Sequence, residues 1–173
     1  GGRVVDVDGV GIKSSGGTAL VQAATQGFVE VVRFLVEEGK ADVDKAKTST
    51  GSTPLFMAAQ EGHTEVVRFL VEEGKADVDK ARTDTGSTPL FMAAQKGHLD
   101  VVRCLVEEGK ADVDKVNNNS QTPINKAADS GNLEVVRFLL SKGADCTIKD
   151  KWGDTPLASA KAKGHTAVVE LLS

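Results

Sequence analysis

The chain has 173 residues, of which 40% are hydrophobic and 27% charged, and its formal net charge at pH 7 is −4. This length and composition suffice for a continuous apolar core without metal ions or disulfides, and no apolar run approaches the roughly eighteen residues of a membrane-spanning helix. Lys and Arg are interleaved with Asp and Glu, so the sequence offers no basic stripe for a phosphate backbone and predicts neither a nucleic-acid partner nor membrane insertion.

A repeated unit begins at Thr18. Residues 65–80 are identical to residues 30–45, and the same position of each unit returns at spacings of 35, 35, 34 and 33 residues, at Thr18, Thr53, Thr88, Thr122 and Thr155. A period of this length is typical of a solenoid, in which neighbouring units supply the contacts that one unit lacks. We expect a single domain over residues 1–173, with units over about 18–52, 53–87, 88–121, 122–154 and 155–173.

Each unit predicts a first helix with clear start and stop signals. In the second unit the Thr53 hydroxyl can cap the helix, and Pro54 suits its first turn because no intrahelical N–H is needed there. Gly62 can adopt the left-handed conformation that ends helices. Small residues such as Ala58 and Ala59 in this helix favour close packing between neighbouring helices.

The second helix of that unit is predicted from about Thr64 to Glu73, with Gly74 ending it in the same left-handed way. The apolar side chains at helical spacing are predicted to face the stack: Val66, Val67, Leu70 and Val71. The charged ones fall three and four residues apart on an outer edge that needs only to be soluble: Glu65, Arg68 and Glu72. An extended arm follows the second helix.

The order Thr-Pro-Leu, Ala-Ala, Gly-His, Val-Val and Gly-x-Ala-Asp within each unit resembles the ankyrin repeat. This resemblance implies an all-α ankyrin-repeat solenoid of stacked antiparallel helix pairs with projecting β-hairpin fingers, in which residues 3–17 are the arm of a preceding repeat. It implies a non-catalytic protein-protein interaction module and a monomer. The alternative is a regulatory segment of a larger enzyme or channel that docks on its own parent chain, and a free-standing enzyme is the third possibility.

The chain departs from the family pattern in two ways. The His that usually follows Thr-Pro-Leu is replaced, mostly by apolar residues, at Val21, Phe56, Phe91, Asn125 and Ala158. In three units a lysine is inserted after the Gly that follows the second helix, at Lys40, Lys75 and Lys110. The first change predicts apolar packing in place of a hydrogen-bond network, and the second helps to lengthen the period.

Residues with catalytic or metal-binding chemistry are explained by their repeat positions. His63, His98 and His165 occupy the same turn of different units, which places them on the order of 10 Å apart and favours a structural role. Cys104 and Cys146 lie in different units and are predicted to be small apolar fillers. We therefore expect no cofactor, no metal site and no catalytic residues, and a cytoplasmic or nuclear location.

The candidate partner-binding residues are those that diverge between units on the fingers and the first-helix ends. Those on the fingers are Lys47, Ser49, Arg82, Asp84, Asn117, Asn118, Asn119, Lys151 and Trp152, and those at the helix ends are Gln26, Glu61, Lys96 and Ser130. Trp152 has two interpretations of equal weight. Its indole either folds back on the neighbouring finger or is an exposed anchor for a partner.

Overall fold

The computed structural model describes residues 18–173, which form a single stack of five antiparallel helix pairs. The pairs are α1 (Ala19–Gln26) with α2 (Val29–Glu37), α3 (Pro54–Glu61) with α4 (Thr64–Glu72), α5 (Pro89–Lys96) with α6 (Leu99–Arg103), α7 (Pro123–Asp129) with α8 (Leu133–Ser141), and α9 (Pro156–Lys163) with α10 (Thr166–Leu172). A π-helical segment over Cys104–Glu108 continues α6. None of the helices over 18–173 is long and apolar enough to cross a membrane. The predicted arm at 3–17 lies outside the described residues.

The first helices begin and end where the sequence predicts. Each repeat threonine is the N-cap, and its hydroxyl accepts the backbone N–H three residues later at 3.0–3.3 Å. Four of the five helices end at a glycine with positive φ, and Gly62 has φ 82°. In α7 the cap is Ser130, and the glycine with positive φ, Gly131, follows it.

The prediction that Gly74 ends the second helix in a left-handed conformation is wrong. The left-handed residue is the inserted lysine, with φ 54°, 55° and 59° at Lys40, Lys75 and Lys110. Gly74 instead lies against the last turn, where an added Cβ would be 2.9 Å from the Leu70 carbonyl oxygen. The fourth unit lacks the insertion, and there Gly143 has φ 84°. The inserted lysine therefore provides the left-handed turn after the second helix that Gly143 provides in the fourth unit.

The inserted lysines also stabilise the helices they follow. The Lys40 ammonium donates to the Glu37 carbonyl at 2.5 Å, and the Lys110 ammonium donates to the Glu107 carbonyl at 2.6 Å. A cation on the last carbonyls complements the negative end of the helix dipole. This contact offsets part of the cost of a non-glycine residue with positive φ.

The main core lies between the first and second helices along the whole stack. The alanine pairs of α3, α5 and α7 are fully buried, and so are the predicted inward residues of α4, which include Leu70 at 0% exposure. A second, smaller cluster joins Val21, Phe56 and Met57 on the first helices, with Met92 packed against it. Val21, Phe56 and Phe91 are buried, which confirms that apolar packing replaces the usual histidine. Asn125 completes a capping box with Thr122.

The fingers reverse the chain as predicted, although none of the described residues forms a β-strand. Two backbone hydrogen bonds close each finger, one across its base and one within its turn, and in the first finger they run from the Lys47 N–H to the Ser52 carbonyl at 2.9 Å and from the Gly51 N–H to the Lys47 carbonyl at 2.8 Å. The equivalent bonds across the base are Arg82 to Ser87, Asn117 to Gln121 and Asp150 to Asp154, at 2.9–3.0 Å. A strand ladder requires several successive cross-strand bonds. These fingers are too short to form one.

Candidate partner-binding surface

The four finger tips are joined into one row by backbone hydrogen bonds. Thr83 donates to the Thr50 carbonyl at 3.1 Å, and Asn118 donates to the Thr85 carbonyl at 3.0 Å. The last bond runs from the Lys151 N–H to the Asn119 carbonyl at 2.9 Å. Each tip is therefore held at a fixed position relative to the next, so that divergent residues on different fingers belong to one continuous surface.

A row of aspartates connects the arms that precede the fingers in neighbouring units. The Asp44 carboxylate accepts the Asp77 N–H at 3.2 Å, and the Asp79 carboxylate accepts the Asp112 N–H at 3.2 Å. Asp114 repeats the contact with the fourth unit, where it accepts the Asp145 N–H at 2.9 Å. Partial burial raises the pKa of Asp79 above its usual range. These aspartates thus link the arms of neighbouring units.

Trp152 projects from the last finger of the row and has 62% of its surface exposed. This exposure argues against an indole folded back on the neighbouring finger, and the role of Trp152 as an anchor stays a prediction. Asp150 accepts the N–H groups of Trp152 and Asp154 at 2.9 and 3.0 Å, which holds the backbone of the tip. The Lys151 ammonium lies 4.5 Å from the ring centroid and donates to the Asn119 side chain. The indole therefore projects from a finger tip whose backbone is held by hydrogen bonds to Asp150.

The second finger is braced against the first helices. The Arg82 guanidinium lies over the Phe56 ring at 5.4 Å and donates from Nε to the Asp84 carboxylate at 2.9 Å. This hydrogen bond lowers the pKa of the Asp84 carboxyl below its usual range. The Arg82 side chain is only 22% exposed. Arg82 and Asp84 therefore shape the tip and keep part of their surface available to a partner.

The three asparagines of the third finger are engaged within the row. The Asn117 side-chain oxygen accepts the N–H groups of Asn119 and Gln121 at 2.9 and 3.0 Å, which closes the finger. Asn118 donates to the Asp84 carbonyl at 3.2 Å, and Asn119 accepts from Lys151. In the first finger Lys47 is half-buried and Ser49 is exposed. The three asparagines of the third finger therefore make bonds within the row as well as offering a surface to a partner.

The helix-end candidates lie on the opposite rim of the first helices. Gln26, Glu61 and Lys96 are exposed at the last turns, and Ser130 is half-buried at the cap. The fingers precede the first turns, so an eight-residue helix at 1.5 Å per residue separates the two groups by about 12 Å. The predicted residues therefore form two rims of one face.

The residues between these rims escaped the sequence analysis. They stand four positions after each repeat threonine, at Gln22, Met57, Met92, Lys126 and Ser159. Gln22 is exposed, Met57 is 8% exposed, and the other three are half-buried. The signal that could have revealed them is their shared position one turn after the cap, where α1, α3, α5, α7 and α9 follow one another. They make the middle of this face apolar in its second and third units.

The turn histidines tie neighbouring units together. The His63 ring nitrogen Nε2 lies 3.0 Å from the Thr25 carbonyl oxygen, and the His98 Nε2 lies 3.1 Å from the Gln60 carbonyl oxygen. His165 repeats this contact, and in the fourth unit Asn132 donates to the Ala94 carbonyl at 2.8 Å instead. Across residues 18–173 no group of His, Cys, Asp and Glu is arranged to hold a metal ion.

The prediction that the charged outer edge of the second helices needs only to be soluble is wrong. Arg33 pairs with Glu73 of the next unit at 3.2 Å, and its guanidinium lies 4.6 Å from the Phe69 ring centroid. Arg68 pairs in the same way with Glu108 at 2.5 Å. The partners are forty residues apart, so neither pair falls within the three- and four-residue spacing that the sequence analysis considered. The edge links successive second helices.

The two cysteines differ in environment, and the prediction that both are apolar fillers holds only for Cys104. Cys104 is buried, whereas Cys146 is exposed. Burial and a hydrogen bond from the Cys104 thiol to Glu108 at 3.0 Å raise the pKa of Cys104 to about 12. Cys104 is therefore a thiol at neutral pH.

We expect a thiol-specific disulfide reagent at pH 8 to label one cysteine of the native protein within minutes and both in denaturant. The thiolate is the reacting species, and of the two cysteines only Cys146 is exposed to the reagent. Cys146→Ser should abolish the fast phase and Cys104→Ala should leave it intact. Fast labelling of the Cys146→Ser protein would show that Cys104 is accessible.

Comparison with known families gives one result. A family model described as ankyrin repeats in three copies matches residues 5–82 and 75–150, which together cover most of the chain. No curated protein matches the sequence.

Proposed function

Because the chain belongs to the ankyrin-repeat family, we propose that it is a non-catalytic module that binds another protein through its finger row and the concave face of its first helices. Ankyrin repeats are generally protein-protein interaction modules. The observation that carries the proposal for this chain is Trp152, an indole that is 62% exposed on a finger fixed to its neighbour.

An exposed tryptophan on a rigid support suits a binding anchor for physical reasons. Tryptophan buries a large apolar area on binding and is enriched among residues that dominate interface energies. The bonds from Asp150 to the tip backbone reduce the freedom that a partner would otherwise have to restrict. Trp152 is thus preorganised for contact.

The first-helix face supplies a second, flatter contact region between its rims. Its centre includes Met92, which is half-buried and whose flexible side chain adapts to irregular surfaces, beside Met57, which is 8% exposed. Its rim of helix ends alternates in charge, with Glu61 followed by Lys96. A partner that lies across the stack would meet an apolar centre with polar margins, which is the usual composition of an interface.

The test begins with capture of partners on the immobilised chain and their identification by mass spectrometry. For a partner that binds directly, Trp152→Ala is expected to weaken binding by about 2 kcal/mol, or roughly thirtyfold in Kd. The change should alter the thermal midpoint little because most of the Trp152 surface is exposed. Calorimetric titration measures both affinities.

Phe34→Ala is the matched control, since this ring is 61% exposed but lies on α2, away from the fingers. It should leave the affinity unchanged. A larger loss of affinity from Phe34→Ala than from Trp152→Ala would show that the partner binds the second helices, which would contradict this proposal. Direct binding that neither change affects would remove Trp152 as the anchor.

A further inference from the structure

The outer edge has a different charge pattern at the third junction between units. At the first two junctions an arginine of one second helix pairs with a glutamate of the next, as Arg33 with Glu73 and Arg68 with Glu108. At the third junction the arginine is Arg103, but the residue in the position of the glutamate is Lys142. Among residues 18–173, no carboxylate forms an ion pair or hydrogen bond with Arg103.

The side chains at this junction nevertheless keep the geometry of the other two. The Arg103 guanidinium lies over the Phe138 ring at 4.8 Å, much as Arg33 lies over Phe69. Lys142 lies over the same ring at 5.3 Å and pairs with Glu107 at 2.7 Å. Arg103 is therefore positioned on its aromatic support while the carboxylate that it meets elsewhere is missing.

A groove of about 260 Å³ opens beside these groups. Besides Arg103, Phe138 and Lys142, its lining includes Arg137, whose guanidinium lies 3.8 Å from the Glu134 carboxylate on the same helix. Three cations thus face two carboxylates, and Glu107 is already occupied by Lys142. The groove has a net positive charge, and Arg103, which rests on Phe138, is the one of its three cations that no carboxylate contacts at ion-pair distance among residues 18–173.

We propose that this groove binds a carboxylate side chain from an acidic segment of a partner protein. The intramolecular carboxylates of Glu73 and Glu108 are the models for this ligand, because they occupy the equivalent position at the other junctions. We commit to a carboxylate and not to a phosphate because both equivalent arginines, Arg33 and Arg68, pair with carboxylates. This surface lies on the second helices and is separate from the finger row.

The affinity for one carboxylate at an exposed site is low, so the probe should carry several. We would titrate a blocked hexaglutamate peptide into nitrogen-15-labelled protein and follow the arginine Nε–H signals at low salt. We expect saturable shifts at Arg103, with a Kd in the millimolar range, that disappear as salt is raised. Hexalysine should cause none.

Two variants test the site by opposite means. Arg103→Gln removes the binding cation, and Lys142→Glu supplies an internal carboxylate that should pair with Arg103 as Glu73 pairs with Arg33. Each is expected to weaken peptide binding at least tenfold. Arg68→Gln is the matched control, because Arg68 is already paired, and it should leave peptide binding unchanged.

Three outcomes would overturn the proposal. Peptide binding that survives both Arg103→Gln and Lys142→Glu would place the site elsewhere. Equal losses from Arg68→Gln would show a general charge effect along the edge. Inorganic phosphate that binds as tightly as the peptide and shifts the same arginine would indicate a small-anion site instead of a docking site for an acidic segment.

Discussion

Replacement of Phe69 by alanine is expected to lower the free energy of unfolding by about 3–5 kcal/mol, the usual cost of removing a buried phenylalanine. Phe69 is 2% exposed on α4, and its ring also carries the Arg33 guanidinium that pairs with Glu73. The truncation would leave a cavity and remove the surface on which the ion pair between the first two units rests. Urea denaturation followed by circular dichroism measures the change.

Phe34 provides a control at the same position of the preceding unit. It lies on α2 and is 61% exposed, so truncation removes little buried area. Phe34→Ala should change the free energy of unfolding by no more than about 0.5 kcal/mol. Comparable losses from the two substitutions would contradict the burial difference on which the prediction depends.

Gly62→Ala is expected to destabilise the protein by about 3 kcal/mol, from the strain of a left-handed alanine and the loss of one buried hydrogen bond. Gly62 has φ 82°, and an added Cβ would lie 2.8 Å from the His98 ring. The ring must then move away from the Gln60 carbonyl that it contacts. The substitution therefore acts on the junction between the second and third units.

Gly164→Ala is the control that measures the cost of backbone strain without the contact between the added Cβ and a histidine ring. Gly164 has φ 75°, but no atom lies within 4 Å of the position of an added Cβ. The control should cost only about 1–2 kcal/mol, the strain term alone. The His98 ring resonances should shift in Gly62→Ala and stay in place in Gly164→Ala. Equal effects on stability would mean that the histidine contact contributes nothing.

The fold was predictable because the units repeat the same local signals for the start and the end of their helices. Thr53 as a cap, Pro54 in the first turn and Gly62 with positive φ are local choices, and local chemistry dictates them. The inward face of α4 followed from helical spacing alone. Five copies of such signals left little room for another chain path.

Contacts between units were much harder to predict. The reversal at Lys75 depends on how closely Gly74 approaches Leu70, a distance that no sequence pattern contains. The ion pair between Arg33 and Glu73 joins residues forty positions apart and becomes apparent only when the helices are stacked. The same limit applies to Cys146, whose exposure depends on the path of the last arm.

The candidate surface was predictable only in outline. Sequence divergence between units drew attention to Trp152, which is exposed. It does not distinguish a side chain that varies in order to bind a partner from one such as Asn117 that varies to close its own finger. Divergence also passes over Met57 and Met92, because these two residues are the same in both units.

The equivalence of the first two junctions has a consequence for how such a chain changes length. Asp44 meets Asp77 just as Asp79 meets Asp112, and His63 and His98 bind equivalent carbonyls. A block of 35 residues can therefore be duplicated or lost by recombination while every new boundary repeats an existing one. The third junction, with Asn132 and Lys142, has no such equivalent. Units can therefore be gained or lost among the first three without creating a new kind of junction. The fourth unit fits only at its present position in the stack.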